Sequence, residues 1–250
     1  MEIQFCSDLH LEFIENQEWL WGKPIEPKGD ILIIAGDTFY LDTDPEEYAF
    51  FDEVSADFEE TYIIPGNHEY YGGYNVATAT EMTFKELRKN VFLVNNYTLE
   101  KNGYQIIFST MWSEINQHTH YLQDRMNDFW KINFNALPFT PHHMNRIHDK
   151  CFNFIKKELR KSKKNILVTH HLPSRFCNAL EFRHSLLNEA FCVDKTEFIY
   201  QAPIDYWIYG HSHRNMPDIE IGGTQLITNQ LGYTFQREDK LFSTNRVFKI

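Results

Sequence analysis

The chain has 250 residues, 42% of them hydrophobic and 16% aromatic, with 21 Phe and 13 Tyr, which suits a substantial core and excludes a disordered chain. A formal net charge of −11 disfavours long nucleic acid, whose binding rests on neutralised phosphates. A small anionic substrate is still open, because bound cations would dominate the local field. Cys6, Cys151, Cys177 and Cys192 form no CxxC pair, and a chain of this size needs no stapling, so reduced, mostly buried thiols are expected. No apolar run approaches the ~20 residues of a membrane span. The first residues read as a strand rather than a signal peptide. The expected setting is cytoplasmic, where the sequon Asn96-Tyr97-Thr98 is incidental.

Residues 2–6 read as a first strand, ending in Ser7-Asp8-Leu9-His10. Residues 14–29 are polar with Gly and Pro and read as a loop. Ile31 to Ala35 are five apolar residues in a row, a strand buried on both faces, with Gly36-Asp37 at its carboxyl end. Residues 45–60 open with Pro45 and two acids and carry Tyr48, Phe51, Val54 and Phe58 on one helical face. Residues 61–65 make a third strand, followed by Gly66-Asn67-His68-Glu69. This is a repeating βαβ pattern.

Residues 78–90 read as a helix and 91–94 as a short strand, while 97–101 and 104–109 suit a hairpin. The stretch 112–142, rich in Trp, His, Asn and Phe without a clean period, reads as a loop-and-helix insertion over the active-site face. Residues 143–161 form a helix with a basic end. Residues 165–169 are a buried strand leading into His170-His171, and 175–203 are irregular with short helices. Residues 205–209 form a strand ending in Gly210-His211-Ser212-His213, and 217–221, 224–228 and 245–250 are strand-like. The motifs run from residue 8 to 213 without a linker, so one domain over 1–250 is expected.

Chemistry concentrates at the strand ends. An unpaired carboxylate is too costly inside an apolar strand, so Asp37 belongs at the tip, facing the crevice where α/β sheets place ligands. Other strand ends deliver Asp8 and His10, Asn67 and His68, His170, and His211 and His213. Imidazole with carboxylate suits Mn, Fe, Zn or Ni better than an all-oxygen Mg or Ca site. Without His68 there are seven candidate ligands, too many for one tetrahedral ion but suited to two sharing Asp37. Two metals ~3.5–4 Å apart are a device for phosphate displacement. Gly36, Gly66 and Gly210 precede three of the clusters, where backbone without Cβ can turn sharply and approach a ligand.

The ordered set Asp8-x-His10, Gly36-Asp37, Gly66-Asn67-His68-Glu69, His170 and Gly210-His211-x-His213 resembles the calcineurin-like metallophosphoesterase family over roughly residues 1–230. The resemblance implies an α/β fold, a four-layer α/β/β/α sandwich with two mixed β-sheets packed face to face and flanking helices. It implies two divalent metal ions, manganese first and iron, zinc or nickel next. One would be held by Asp8, His10, Asp37 and His213, the other by Asp37, Asn67, His170 and His211. A hydroxide bridging them would attack phosphorus in line, with His68 beside the phosphate as catalytic residue. His170 is preferred to its neighbour His171 as ligand because it directly follows the strand; His171 would then line the pocket.

Arg175, Arg214 and Tyr70 join His171 as candidate substrate-binding residues, against plain salt bridges for the arginines and packing for the tyrosine. His118, His120, His142 and His143 read as exposed histidines of a polar insertion. The function expected is metal-dependent hydrolysis of a small phosphomonoester or phosphodiester. The alternatives are a non-catalytic metal-binding scaffold, a pyrophosphatase acting on a nucleotide-linked substrate and, against the acidic charge, a nuclease. Specificity is expected from 112–142 and 175–200; the sequence leaves oligomeric state open.

Overall fold

The computed structural model describes residues 1–250. Along the first half run β1 (Glu2–Cys6), α1 (Ile14–Gly22), β2 (Ile31–Ile34), α2 (Phe50–Asp57), β3 (Glu60–Ile63), β4 (Thr83–Arg88), β5 (Val91–Asn95), β6 (Tyr97–Lys101) and β7 (Tyr104–Phe108). The next segment holds α3 (Thr119–Arg125), α4 (Asp128–Lys131) and a small hairpin of β8 (Asn133–Phe134) and β9 (Leu137–Pro138). Then come α5 (Pro141–Glu158), β10 (Lys164–Val168), α6 (Asn188–Phe191), α7 (Thr196–Gln201), β11 (Tyr206–Ile208), β12 (Ile219–Ile221), β13 (Thr224–Ile227) and β14 (Val247–Lys249).

Two six-stranded mixed sheets result, ordered β14-β1-β2-β3-β5-β4 and β12-β13-β11-β10-β7-β6. In each, four parallel strands form the centre and an antiparallel strand closes either edge. The alternation of side chains along β2 explains the layering. Ile31 and Ile33 point between the sheets, where they pack with Phe5, Phe108, Ile166 and Ile208. Leu32 and Ile34 point to the opposite face, against Phe51 and Val54 of α2 and Leu20 of α1. The outer face of the second sheet, with Ile107, Leu167 and Trp207, is covered by Ile155 of α5 and Ile199 of α7. Helix, sheet, sheet and helix therefore stack as four layers, as expected.

Two stretches differ from the sequence reading. Residues 14–22 are the helix α1, not a loop. Its inward face carries the buried Asn16 alongside Leu20, so no apolar stripe marks it. Asn16 donates to the carbonyls of Leu9 and Gly232 at 2.9 and 2.8 Å and accepts from the Thr234 amide at 3.1 Å. Residues 83–88 are the edge strand β4, not a helix. Its Lys85, Glu86 and Arg88 suit helix and edge equally, since charge on an edge strand discourages further pairing. Tertiary pairing with β5 decided the outcome.

The Asn16→Ala variant strips those buried groups of their partners and is expected to cost on the order of 2–3 kcal/mol, read as a lower midpoint at unchanged slope in urea unfolding.

Candidate metal centre

Parallel strands of both sheets end at the same edge, and their following loops meet there. Asp8 and His10 follow β1, Asp37 follows β2, and Asn67 and His68 follow β3; His170 follows β10, and His211 and His213 follow β11. The backbone is left-handed at Asp8 (φ 56°), His10 (φ 49°), Asp37 (φ 54°), His211 (φ 78°) and His213 (φ 50°). Non-glycine residues pay roughly 1–3 kcal/mol for such strained conformations, which persist where surrounding structure enforces them and concentrate at functional sites. Gly36 (φ 93°) and Gly66 let the loops close: a Cβ at the first would strike the His170 ring, and at the second the Asp37 carboxylate.

Two groups of donor atoms converge. Asp8, His10, Asp37 and His213 form one and Asp37, His170 and His211 the other, each with ligand atoms within 4.8 Å of one another. Asp37 belongs to both through different oxygens. Its Oδ2 lies 3.9 Å from His10 Nε2 and its Oδ1 lies 3.3 Å from His170 Nε2. Asn67 extends the second group, with Oδ1 3.2 Å from His170 Nε2. The bare donors fit cations. His10 Nε2 and His213 Nε2 approach to 2.9 Å in the first group, two imidazoles aimed at one point. In the second, the buried His211 Nε2 has no hydrogen-bond partner. Nitrogen and oxygen donors without thiolate suit a first-row transition metal.

The outer nitrogens of the rings are engaged elsewhere, which turns Nε2 inward. His170 Nδ1 donates to the Ala35 carbonyl at 2.8 Å. His213 Nδ1 meets Glu238 at 2.7 Å. Glu12 Oε1 receives both His10 Nδ1 at 2.9 Å and His68 Nδ1 at 2.7 Å. These are hydrogen-bond lengths, so the His10–Glu12–His68 trio reads as a bracket between the metal cluster and His68, not as a third ion site. His68 Nε2 then faces the Tyr233 hydroxyl at 3.1 Å. Asp128, from the 112–142 segment, accepts from Asn67 Nδ2 at 2.8 Å and from Tyr71 OH at 2.6 Å, so the Asn67 oxygen is the atom presented to the cluster. Glu69 accepts from the backbone amides of Asp37, Thr38 and Gly66 at 3.0, 2.6 and 2.7 Å and ties the second and third loops together.

Charge follows geometry. Burial would raise the Asp37 carboxyl, but the His170 and His68 imidazoles outweigh it and hold Asp37 well below the usual range. Burial, then the Asp37 charge, pushes Glu69 up to about 8. Against the pull of burial, Asp37 raises His170 to about 9, and Asp8 with Glu238 raises His213 to about 10. Burial and the neighbouring His171 and His170 hold His211 well below 6.5.

The sequence candidates therefore separate. Asp8, His10, Asp37, Asn67, His68, His170, His211 and His213 come together; His171 lies fully buried between Trp112 and the His211 ring and lines none of the cleft. Tyr70 is in the core against Trp112, and Tyr71 instead stacks on His68 at 4.2 Å. Arg214 is paired with Glu181 and Glu238 at 2.8 and 3.2 Å, and Arg175 lies exposed beside Asp194 at 3.4 Å. His118, His120 and His142 are exposed, and His143 stacks on Phe134. Sequence reasoning missed Glu12, Asp128, Tyr233 and Glu238. Only Glu12 left a trace, as the third polar residue alternating along Asp8-Leu9-His10-Leu11-Glu12. Above the cluster opens a cleft of ≈ 300 Å³ lined by Asp37, Asn67, His68, His213 and Tyr233 among others.

Paired sheets that bring such donors to one buried double cluster define a dinuclear metallohydrolase. Residues 1–215 match the calcineurin-like phosphoesterase family, and the chain belongs to it, as a hydrolase acting on ester bonds. It is 30% identical over 267 residues to the uncharacterized protein L509 of Acanthamoeba polyphaga mimivirus, covering 95% of this chain and 93% of that one. The crystal structure of phosphopantetheinyl hydrolase from Mycobacterium tuberculosis matches with a TM-score of 0.71 at 16% identity, covering 98% of this chain and 95% of that one; at this identity the likeness concerns the fold. No helix is long and apolar enough to cross a membrane.

The raised histidines give the metal-free protein a defined pH response. A histidine with a raised folded pKa adds stability in full below its unfolded value, and that stability is lost as pH rises through the folded value. Metal-free protein should therefore lose thermal stability between pH 6.5 and about 9 to 10, the range spanned by His170 and His213. A melting temperature constant across that range in chelator would contradict the assignment.

Proposed function

We propose that the protein hydrolyses a small phosphate mono- or diester with a pair of divalent cations, manganese first among them. One set of ligands is Asp8, His10, Asp37 and His213; the other is Asp37, Asn67, His170 and His211, with His170 rather than His171 as donor. The observation that carries this reading is the division of labour at Asp37, whose two oxygens face two separate donor groups. A cation pair held there lowers the pKa of a coordinated water and neutralises charge on phosphoryl oxygens.

The remaining chemistry belongs to the chain. Glu12 accepts from His68 Nδ1–H and stabilises the imidazolium, whose Nε2–H faces the cleft and can pass its proton to the departing oxygen, leaving the neutral ring with its Nδ1 proton hydrogen-bonded to Glu12. Burial weighs against the Glu12 charge, but His10 and then His68 hold its carboxyl down to about 2, so it stays an acceptor throughout the working range. The Tyr233 hydroxyl at 3.1 Å steadies that imidazole and faces the same cleft. Strained ligand loops and buried outer hydrogen bonds hold the donors in place before substrate arrives, so little reorganisation is needed at reaction. A free phosphate ester fits the ≈ 300 Å³ cleft.

Purified protein with Mn²⁺ should hydrolyse a generic aryl phosphate monoester or diester and lose that activity to chelator. His68→Ala should lower turnover about 10²- to 10⁴-fold at unchanged metal content. No turnover with any divalent metal would remove the reading.

Asp128→Ala frees the Asn67 amide and should weaken binding of one of the two cations about 10- to 100-fold, the effect typical of losing a partner behind a ligand. Tyr71→Phe, which keeps the Asp128–Asn67 bond, should do much less. Two-site calorimetric titration separates these outcomes.

A further inference from the structure

We propose that the substrate carries an extended arm, a largely apolar chain ending in a second anionic group, and that residues 175–192 form the groove that binds it. This rests on the phosphoesterase reading above and names its substrate class. The groove begins at the metal centre. Phe191 stacks on the His211 ring at 4.7 Å, and Phe191 and Ser212 line both the catalytic cleft and a second compartment of ≈ 180 Å³. Phe182 and Leu187 give that compartment its apolar character. Asn178 and Asn188, joined by a 2.9 Å hydrogen bond, line both this compartment and a third of ≈ 460 Å³. The three spaces thus share walls in sequence, from the cluster at one end to Arg183 and His184 at the other.

The far end is where a second anion would be met. Arg175, Arg183 and His184 line it together with two acids. Those acids are already engaged: Asp194 is bonded to Thr196 and paired with Arg175, and Glu189 accepts from the backbone amides of Asn116 and Gln117 at 2.8 and 2.6 Å. Arg183 and His184 take part in none of the ion pairs of the protein. Beyond the apolar stretch the unpaired basic groups are Arg183 and His184, while Arg125 lines the catalytic cleft itself outside any ion pair, on a chain whose net charge is −11. The same segment leaves Phe176 and Leu180 in water, an apolar exposure that its own core does not use. On the opposite wall of the cleft, Asp128 and Tyr71 are hydrogen-bonded to each other behind Asn67.

The test uses p-nitrophenyl phosphodiesters whose second arm is methyl, hexyl or 6-phosphohexyl, with Mn²⁺-loaded protein. kcat/KM should rise about tenfold or more from methyl to hexyl, as burial of several methylenes allows, and again with the terminal phosphate. Leu187→Ser should collapse the hexyl-to-methyl ratio, and Arg183→Ala the phosphohexyl-to-hexyl ratio. Ratios near one in the unmodified protein, or ratios that survive both substitutions, would overturn the groove. Affinity of 1,6-hexanediol bisphosphate against methyl phosphate, titrated into the Mn²⁺-loaded His68→Ala variant, gives the same contrast with turnover suppressed. Equal affinities there would overturn the groove even if no ester were hydrolysed. A clear preference for the bisphosphate with no hydrolysis of any ester would uphold the groove and reject the phosphoesterase reading instead.

Discussion

Asp37 is a carboxylate with almost no access to water, placed just beyond the carboxyl end of β2. Such a charge is tolerated only when it is surrounded by hydrogen-bond donors and opposite charge. Its surroundings supply both. The His68 amide donates to Oδ1 at 2.9 Å, His170 stands at 3.3 Å and His10 at 3.9 Å. Glycines at 36 and 66 are what let the neighbouring loops come this near. Enlarging either would push His170 or Asp37 itself out of register, so the tight packing and the chemistry are one constraint.

The acceptors behind the rings extend that constraint outward. Imidazoles can present either nitrogen, and the choice is made by what the other nitrogen touches. Here it is made by a main-chain carbonyl at His170, by Glu12 at His10 and His68, and by Glu238 at His213. Glu12 is the most economical of these, since one oxygen orients both a donor of the cluster and the imidazole above the cleft. A shift of the first loop would therefore misplace both at once.

How much of this the sequence could disclose depended on the kind of interaction. The central strands announced themselves because burial on both faces demands unbroken apolar runs such as Ile31-Leu32-Ile33-Ile34, and the polar residues after each run could then be placed at one sheet edge. Helix α1 gave no sign because its buried face is built on Asn16, two of whose partners, Gly232 and Thr234, lie more than 200 residues away. Strand β4 looked helical because solvent on its charged side chains leaves no period of two, and only pairing with β5 fixes it. Asp128 and Glu238 act through single long-range hydrogen bonds, which leave no local pattern. Left-handed backbone at Asp37 and His211 is equally silent, since nothing but the assembled site holds a side-chain-bearing residue there.

The charge inventory of the centre leads one step further. Asp8, Asp37, Glu12 and Glu238 all bear on the cluster, and the groups that answer them there are imidazoles; of the arginines, Arg125 lines the cleft and Arg214 stays at the rim with Glu181 and Glu238. Without cations, positive charge at the heart of the site must come from protons on His170 and His213, which is why their pKa values stand at about 9 and about 10. Those same nitrogens are the ones that point at the shared donor atoms. Proton and cation therefore compete for one set of positions, and the fold is consistent with either occupant because each supplies the charge that a buried Asp37 requires. The two sheets contribute to that balance unequally. The first supplies every carboxylate of the donor set, and the second supplies His170, His211 and His213. Attraction between an acidic edge and an imidazole edge thus reinforces the apolar seam of Ile33, Phe108 and Ile166 just beneath it. The site is held together by the packing of the sheets, and the charge at its centre in turn draws those two edges together.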